Sequence, residues 1–303
     1  MAQNRASEFG VVGVEVDQNH VALVEVRTPP HNFFSLSMLG SLADAFEAVD
    51  ADPDARCILL ASEGKNFCAG ASLNDKDPKL TSEQSGGERH IYDEAVRLFA
   101  ANAPVVAAVQ GAAVGGGLGL ACMADFRVGG PGTRMTANFA RLGFHQGFGL
   151  SVTLPAIVGQ QNALDLLYTG RRIKGDRAAE IGLIDRLVSD DEIRSAAAAW
   201  AAEIAGSAPL AVESIRQTMR GHLPAEIRSA TDREREEQER LRDTADWKEG
   251  VAAMTERRDP KFERRSPAAP DHRSGSGTGH TPELVARWVI VTSNDSAGSS
   301  STT

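Results

Sequence analysis

The stretch PVVAAVQGAAVGGGLGLACMADFRV, residues 104–128, decides the fold. A branched apolar run (PVVAAVQG, 104–111) stops at glycine, a small-residue segment of helical character follows (GLGLACMA, 117–124), and a second branched run closes it (FRVGG, 126–130). Short apolar runs punctuated by Gly or Pro read as buried strands. The stretch predicts strand, helix, strand.

The same alternation extends outward. HVALVEVRT (20–28) and ARCILLASEG (55–64) predict buried strands. Between them SLSMLGSLADAFEAVDAD (35–52) repeats Leu36, Leu39, Leu42, Ala43 and Phe46 at helical spacing, with Ser35 as N-cap. EAVRLFAANA (94–103) predicts a further helix. This pattern predicts an α/β fold with largely parallel strands, in which ligands bind beyond the strand ends.

From about residue 160 the chain turns helical, through QQNALDLLYTG, DRAAEIGLID and EIRSAAAAWAAEIAGS. Residues 228–258 are highly charged, with Leu241, Trp247, Val251 and Met254 as their few apolar points. That predicts a solvated helical pair packing through one narrow stripe. We divide the chain into a core at 1–200, a helical C-terminal region at 201–265, and a disordered tail at 266–303, where SPAAPDHRSGSGTGHTPEL and SNDSAGSSSTT dominate.

Composition excludes several classes of function. With 303 residues, 42% of them apolar, the chain can build a large core. A formal net charge of -9 opposes bulk nucleic-acid binding, which needs a basic face, so any anionic ligand must be held locally. No run approaches a membrane span and the N-terminus MAQNRASEFG has no leader pattern, so no membrane partner is expected. Cys57, Cys68 and Cys122 form no CxxC pair and fit a reducing, cytoplasmic setting. The seven histidines form no HxH or HExxH pair, and no metal site is expected.

VGGGLGLA lacks the Lys-Ser/Thr of a P-loop, and Leu120 breaks G-x-G-x-x-G, which argues against a phosphate or dinucleotide cradle. Two readings remain for the glycines. Either they let helix and strand pack closely, or their backbone N–H groups stabilise negative charge developing on a carbonyl oxygen that only small residues let approach.

SEGKNFCAGASL, APVVAAVQGAAVGGGLGLACMADFRV and NFARLGFHQGFGLSVTLPAIVGQQNALDLLYTGRRIKGDRAAEIGLIDRLV closely resemble the crotonase (enoyl-CoA hydratase/isomerase) superfamily, from about residue 10 to 264. The resemblance implies a spiral of ββα units followed by a helical trimerisation region, as a homotrimer or a dimer of trimers. It implies an acyl-CoA thioester as substrate and no separate cofactor. It places the oxyanion-hole N–H groups at Ala71 and Gly116, the adenine near Ala69, and the pantetheine arm near HNFF (31–34), with Asn32 as a substrate contact.

The sequence departs from that family's hydratases at both water-activating glutamates, whose places fall at Gly119 and Phe139. General acid/base groups contribute roughly a hundredfold to ten-thousandfold each, so a poor hydratase is expected. Gly119 and Phe139 suggest a larger, drier acyl pocket. His145, in RLGFHQGFG, is the candidate acid/base residue. Gln146 can hydrogen-bond substrate or water but is no efficient base, and His90, Tyr92, Asp93 and Glu94 of RHIYDEAVRLF are weaker catalytic candidates. Asp75 and Asp77 read as solvated, Lys76 and Lys79 as facing CoA phosphates, Ser72 and Ser151 have no adjacent base in sequence to make them nucleophiles, and Asp125 reads as structural. The expected function is acyl-CoA transformation of the enoyl-CoA hydratase/isomerase type. The alternatives are a catalytically inactive acyl-CoA-binding protein, or a dehalogenase, hydrolase or decarboxylase on the same scaffold.

Overall fold

The computed structural model describes residues 5–71 and 90–264. The Ser72, Asp75, Lys76, Asp77 and Lys79 candidates and the tail at 266–303 lie outside them. Strands β1 (Arg5–Phe9), β2 (Val12–Val16), β3 (Val21–Val26), β4 (Cys57–Ser62), β5 (Val105–Val109), β7 (Phe126–Gly129) and β10 (Arg186–Leu187) form one sheet in that order. β1 to β3 pair antiparallel, and every pairing from β3 to β10 is parallel. A smaller sheet joins β6 (Ala112–Val114), β8 (Arg134–Thr136) and β9 (Ile173–Lys174).

Every residue of β4 and β5 is buried. That explains why both read as continuous apolar runs: a parallel strand is covered on its two faces and has no polar side to alternate with. On one face α7 (Ile193–Ala205) lays Ile193, Ala197, Ala201 and Ala205, a strict i, i+4 alanine-rich stripe, against Cys57, Leu59, Val106 and Val128. On the other lie α1 (Leu36–Asp50), α2 (Ile91–Phe99) and α3 (Gly116–Met123). The Ser35 hydroxyl accepts the Met38 N–H at 3.1 Å and starts α1, whose Leu39, Leu42, Ala43 and Phe46 are fully or almost fully buried. Each such leucine or phenylalanine contributes about 1.5–3 kcal/mol.

The remaining helices are α4 (Leu150–Val158), α5 (Gln160–Thr169), α6 (Gly175–Glu180), α8 (Pro209–Arg220), α9 (Leu223–Arg242) and α10 (Ala245–Glu256). Residue 200 falls inside α7, which packs on the sheet, so the helices that leave the sheet begin with α8. The late charged region also packs differently from the sequence expectation. α9 buries Ile227, Thr231, Glu234 and Gln238, whereas Trp247, Val251 and Met254 of α10 line a cavity. Asp125 is structural, as expected: its carboxylate accepts the Val105 N–H at 2.7 Å and pairs with Arg216 and Arg220 of α8 at 3.0 and 2.9 Å.

Candidate active site

A cavity of about 1430 Å³ opens where the FCAGA segment meets the start of α3. Backbone pairing joins these two stretches. Phe67 N–H donates to Gln110 O at 2.8 Å, Cys68 N–H to Ala112 O at 2.9 Å and Val114 N–H to Cys68 O at 3.0 Å. Ala71 is tied in turn to Phe34 by an isolated bridge, with Phe34 N–H donating to Gly70 O at 2.9 Å. Residues about forty apart in sequence therefore share one wall.

The three glycines of VGGGLG do three different things. Gly115 takes φ 54°, a conformation open to glycine, and caps α3. A Cβ at Gly117 would stand 2.3 Å from the Cys68 carbonyl oxygen, so this glycine allows backbone to approach backbone. Gly116 lines the cavity under the Phe34 ring, and as the first residue of α3 its N–H has no partner within the helix. Among the described residues no hydrogen bond takes the N–H of Gly116 or of Ala71. Two unspent donors on one cavity wall, one at a positive helix end, can take an anionic oxygen.

Ala69, Ala71, Gly116 and Phe139 all line the cavity. Asn32, Gly119 and His145 do not. Asn32 is fully buried at φ 48°, with its amide Nδ2 donating to Glu63 O and Asn66 O at 2.8 and 2.7 Å and its Oδ1 accepting Thr28 N–H at 3.0 Å. All of its polar atoms hold the turn, and His31 and Phe34 are the members of HNFF that line the cavity. The space above Gly119 is not open. A Cβ there would meet the Cβ and ring of Phe148 at 2.9 Å, so an aromatic side chain from a distant loop fills the room that a carboxylate needs. His145 turns its Nδ1–H to Gln146 O at 2.8 Å, and its own carbonyl accepts Gln238 Nε2–H at 3.0 Å.

Titratable side chains on the wall include His31, Tyr92, Glu239 and His90, the last at the N-terminus of α2 beside Ile91 and Tyr92. Its Nδ1 accepts the Tyr92 N–H at 3.2 Å, while Asp93 returns a carboxylate to the His90 N–H at 2.7 Å. This reciprocal cap leaves the neutral ring protonated at Nε2. Burial holds the imidazole below its ordinary value of 6.5, aided by the nearby Arg235. Tyr92 spends its hydroxyl on Gln238 Oε1 at 2.8 Å, and burial pushes its phenol up. Asp93 pairs with Arg228 and Glu94 with Arg97, away from any catalytic duty. Burial also raises the thiols of Cys57, Cys68 and Cys122 to about 12, which makes them poor nucleophiles. Among the described residues no group of three His, Cys, Asp or Glu side chains is arranged to hold a metal ion, and no helix is long and apolar enough to cross a membrane.

A parallel-rich α/β core thus carries a cavity at the glycine-started helix α3. The chain belongs to the enoyl-CoA hydratase/isomerase family, whose model matches residues 16–265. It is 30% identical to the 1,2-epoxyphenylacetyl-CoA isomerase of Escherichia coli over 251 residues, covering 82% of this chain and 96% of that one. It is 28% identical to the peroxisomal Delta(3,5)-Delta(2,4)-dienoyl-CoA isomerase of Arabidopsis thaliana, over 78% and 90% of the two chains. The crystal structure of an enoyl-CoA hydratase/isomerase from Pseudoalteromonas atlantica superposes with a TM-score of 0.75 at 28% identity, covering 84% of this chain and all of the other. The fold is therefore the crotonase-like α/β fold.

Proposed function

We propose that this chain transforms an acyl-CoA thioester by binding its carbonyl oxygen between the N–H groups of Ala71 and Gly116. The observation that carries the reading is that, among the described residues, no hydrogen bond takes either N–H group, and both residues stand on one cavity wall. As the thioester becomes an enolate or tetrahedral species, charge accumulates on its oxygen, which two backbone donors would stabilise. Arg134, Arg172, Arg242 and Lys248 line the same cavity and supply local positive charge for an anionic nucleotide end, despite the net charge of -9. The CoA thioester is the substrate itself, no further cofactor is invoked, and the setting is cytoplasmic.

Water addition through a carboxylate pair at the places of Gly119 and Phe139 does not fit this site. Phe139 and the Phe148-covered Gly119 leave no carboxylate pair to hold a water, and the rings of Phe34, Phe139 and Phe148 make the reacting end apolar. Turnover of a panel of enoyl-, haloacyl- and β-ketoacyl-CoAs tests this. At least one ester should be consumed, with hydration of an enoyl-CoA absent or slower by about a hundredfold than conversion of that ester. If CoA esters bind and none is consumed, the chain is an acyl-CoA-binding protein and the enzyme reading fails.

The assembly we propose is a homotrimer, alone or paired into a hexamer. α8 buries none of its residues in the single chain and leaves Leu210, Ile215 and Met219 more than 60% exposed, while Arg216 and Arg220 anchor its other side to the α3–β7 corner. A helix held through two arginines, which pair with Asp125 and donate to the carbonyls of Ala101, Met123 and Ala124, with a bare apolar edge, awaits another subunit. Light scattering at micromolar concentration should give a multiple of three chains. A monomer would overturn the assembly.

A further inference from the structure

Glu234 is fully buried on α9, yet among the described residues no lysine or arginine pairs with it. Its partners are three neutral donors. Oε2 accepts the Gly149 N–H at 2.8 Å, and Oε1 accepts both the Ser151 N–H at 3.0 Å and the Ser151 hydroxyl at 2.6 Å. Gly149 is the N-cap of α4 and Ser151 lies in its first turn, so a carboxylate from another helix caps α4. One turn further along α9, Gln238 Nε2 donates to His145 O and Gln146 O at 3.0 and 3.3 Å. The inner face of α9 thus grips residues 145–151 at both ends.

What this grip holds is Phe148. Phe148 and Gly149 are consecutive left-handed residues, at φ 59° and 72°, and a phenylalanine there is strained unless its surroundings fix it. The phenyl ring stands edge-on to Phe34 at 5.0 Å, and Phe34 in turn covers Gly116. A chain of contacts therefore runs from Glu234 through the α4 N-terminus and Phe148 to the ring beside the proposed oxyanion donor. Burying a carboxylate without a cation is costly, and hydrogen bonds to three donors recover that cost only while the loop keeps this shape.

We propose that Glu234 is a positioning residue for the acyl end of the site: acting through Phe148, it sets how large an acyl group the cavity accepts. This rests on the CoA-thioester reading above. Glu234→Gln keeps the size of the side chain but turns one acceptor into a donor that faces an N–H. The loop should loosen, Phe148 should withdraw, and longer acyl groups should gain.

Calorimetric affinities for acetyl-CoA, octanoyl-CoA and free CoA provide the test, on wild type, E234Q, F148A and the double variant. The octanoyl-to-acetyl affinity ratio should rise by about tenfold or more in E234Q and in F148A, the scale that hydrophobic pocket discrimination commands. Free CoA affinity should not move. The double variant should shift the ratio no further than F148A alone, because both act on one ring. A ratio is insensitive to the fraction of folded protein, so a merely structural loss would not change it. Should E234Q fold poorly, S151A removes one donor and leaves the carboxylate, and it should shift the ratio in the same direction by less. A ratio within threefold of wild type in E234Q, or in S151A where E234Q does not fold, overturns the positioning role; so do additive effects in the double variant. Wild-type protein that binds none of the three ligands overturns the site reading first, and this inference with it.

Discussion

Replacing Gly116 by proline is expected to lower turnover of the preferred CoA ester by about a hundredfold to a thousandfold relative to Gly116→Ala, the usual consequence of losing one oxyanion donor. The comparison with alanine is needed because any Cβ at this position would stand 3.0 Å from the Phe34 ring and move it by a few tenths of an ångström. Alanine adds that Cβ and keeps the N–H. Proline adds it and removes the N–H. Because Gly116 is the first residue of α3, proline should leave the helix intact: its fixed φ suits that place and its missing donor has no helical acceptor there. Steady-state kinetics with circular dichroism on both variants separates chemistry from folding. A folded proline variant as active as the alanine variant would remove Gly116 from the mechanism and return the glycines to a packing role.

The neighbourhood of Gly116 shows what the sequence could and could not reveal. Strand, helix, strand across residues 104–128 is legible because each element is short, apolar and punctuated by glycine, and β5, α3 and β7 fall within one or two residues of where the runs begin and end. The Ser35 cap is legible for a similar reason, since its determinants are local. The three-stranded sheet around β8 carries weak local signals and exists through pairing with distant segments.

Backbone positions were legible at the cavity wall, where Ala69, Ala71 and Gly116 lie, and side-chain directions were not. Gly119 looked like empty space, but Phe148, twenty-nine residues on and in a left-handed conformation that phenylalanine rarely adopts, occupies it. His145 looked like an acid/base group because it sits in the right loop; Gln238, remote in sequence, holds its carbonyl from behind. α2 was expected to begin at Glu94 but begins at Ile91, because His90 caps it. Histidine is outside the usual capping set of Ser, Thr, Asp and Asn, so the signal available in RHIYD was Asp93, three residues on, which closes the capping box.

That cap also fixes what His90 can do. With Nδ1 accepting the Tyr92 N–H, the neutral imidazole carries its proton on Nε2, so a ring in the cavity lining would act there as a hydrogen-bond donor and not as a base. A second proton would set an N–H against an N–H, and burial already disfavours it. The folded value lies below the ordinary 6.5, so the folded protein binds fewer protons than the unfolded chain between the two values. Stability from this group is complete above pH 6.5 and is lost as pH falls through the folded value. Activity should follow, with an acidic limb of kcat/KM lying below pH 6.5.

Three substitutions resolve the role. His90→Ala removes donor and cap and should lower kcat/KM by about a hundredfold or more. His90→Asn keeps an acceptor for the Tyr92 N–H but ends short of Nε2, so it should remain stable and be nearly as slow as alanine. His90→Gln puts an amide N–H near the place of Nε2 and should stay within about tenfold of wild type, while losing the acidic limb because an amide does not titrate. If glutamine is as slow as alanine, His90 transfers a proton and the tautomer assigned by the cap is wrong. If alanine stays within threefold of wild type, His90 takes no part, since loss of either a donor or an acid/base group is larger than that. His145→Ala is the companion measurement: with its ring turned to Gln146 O and outside the cavity lining, it should change kcat/KM by less than about threefold, whereas a hundredfold loss would restore it as the acid/base residue.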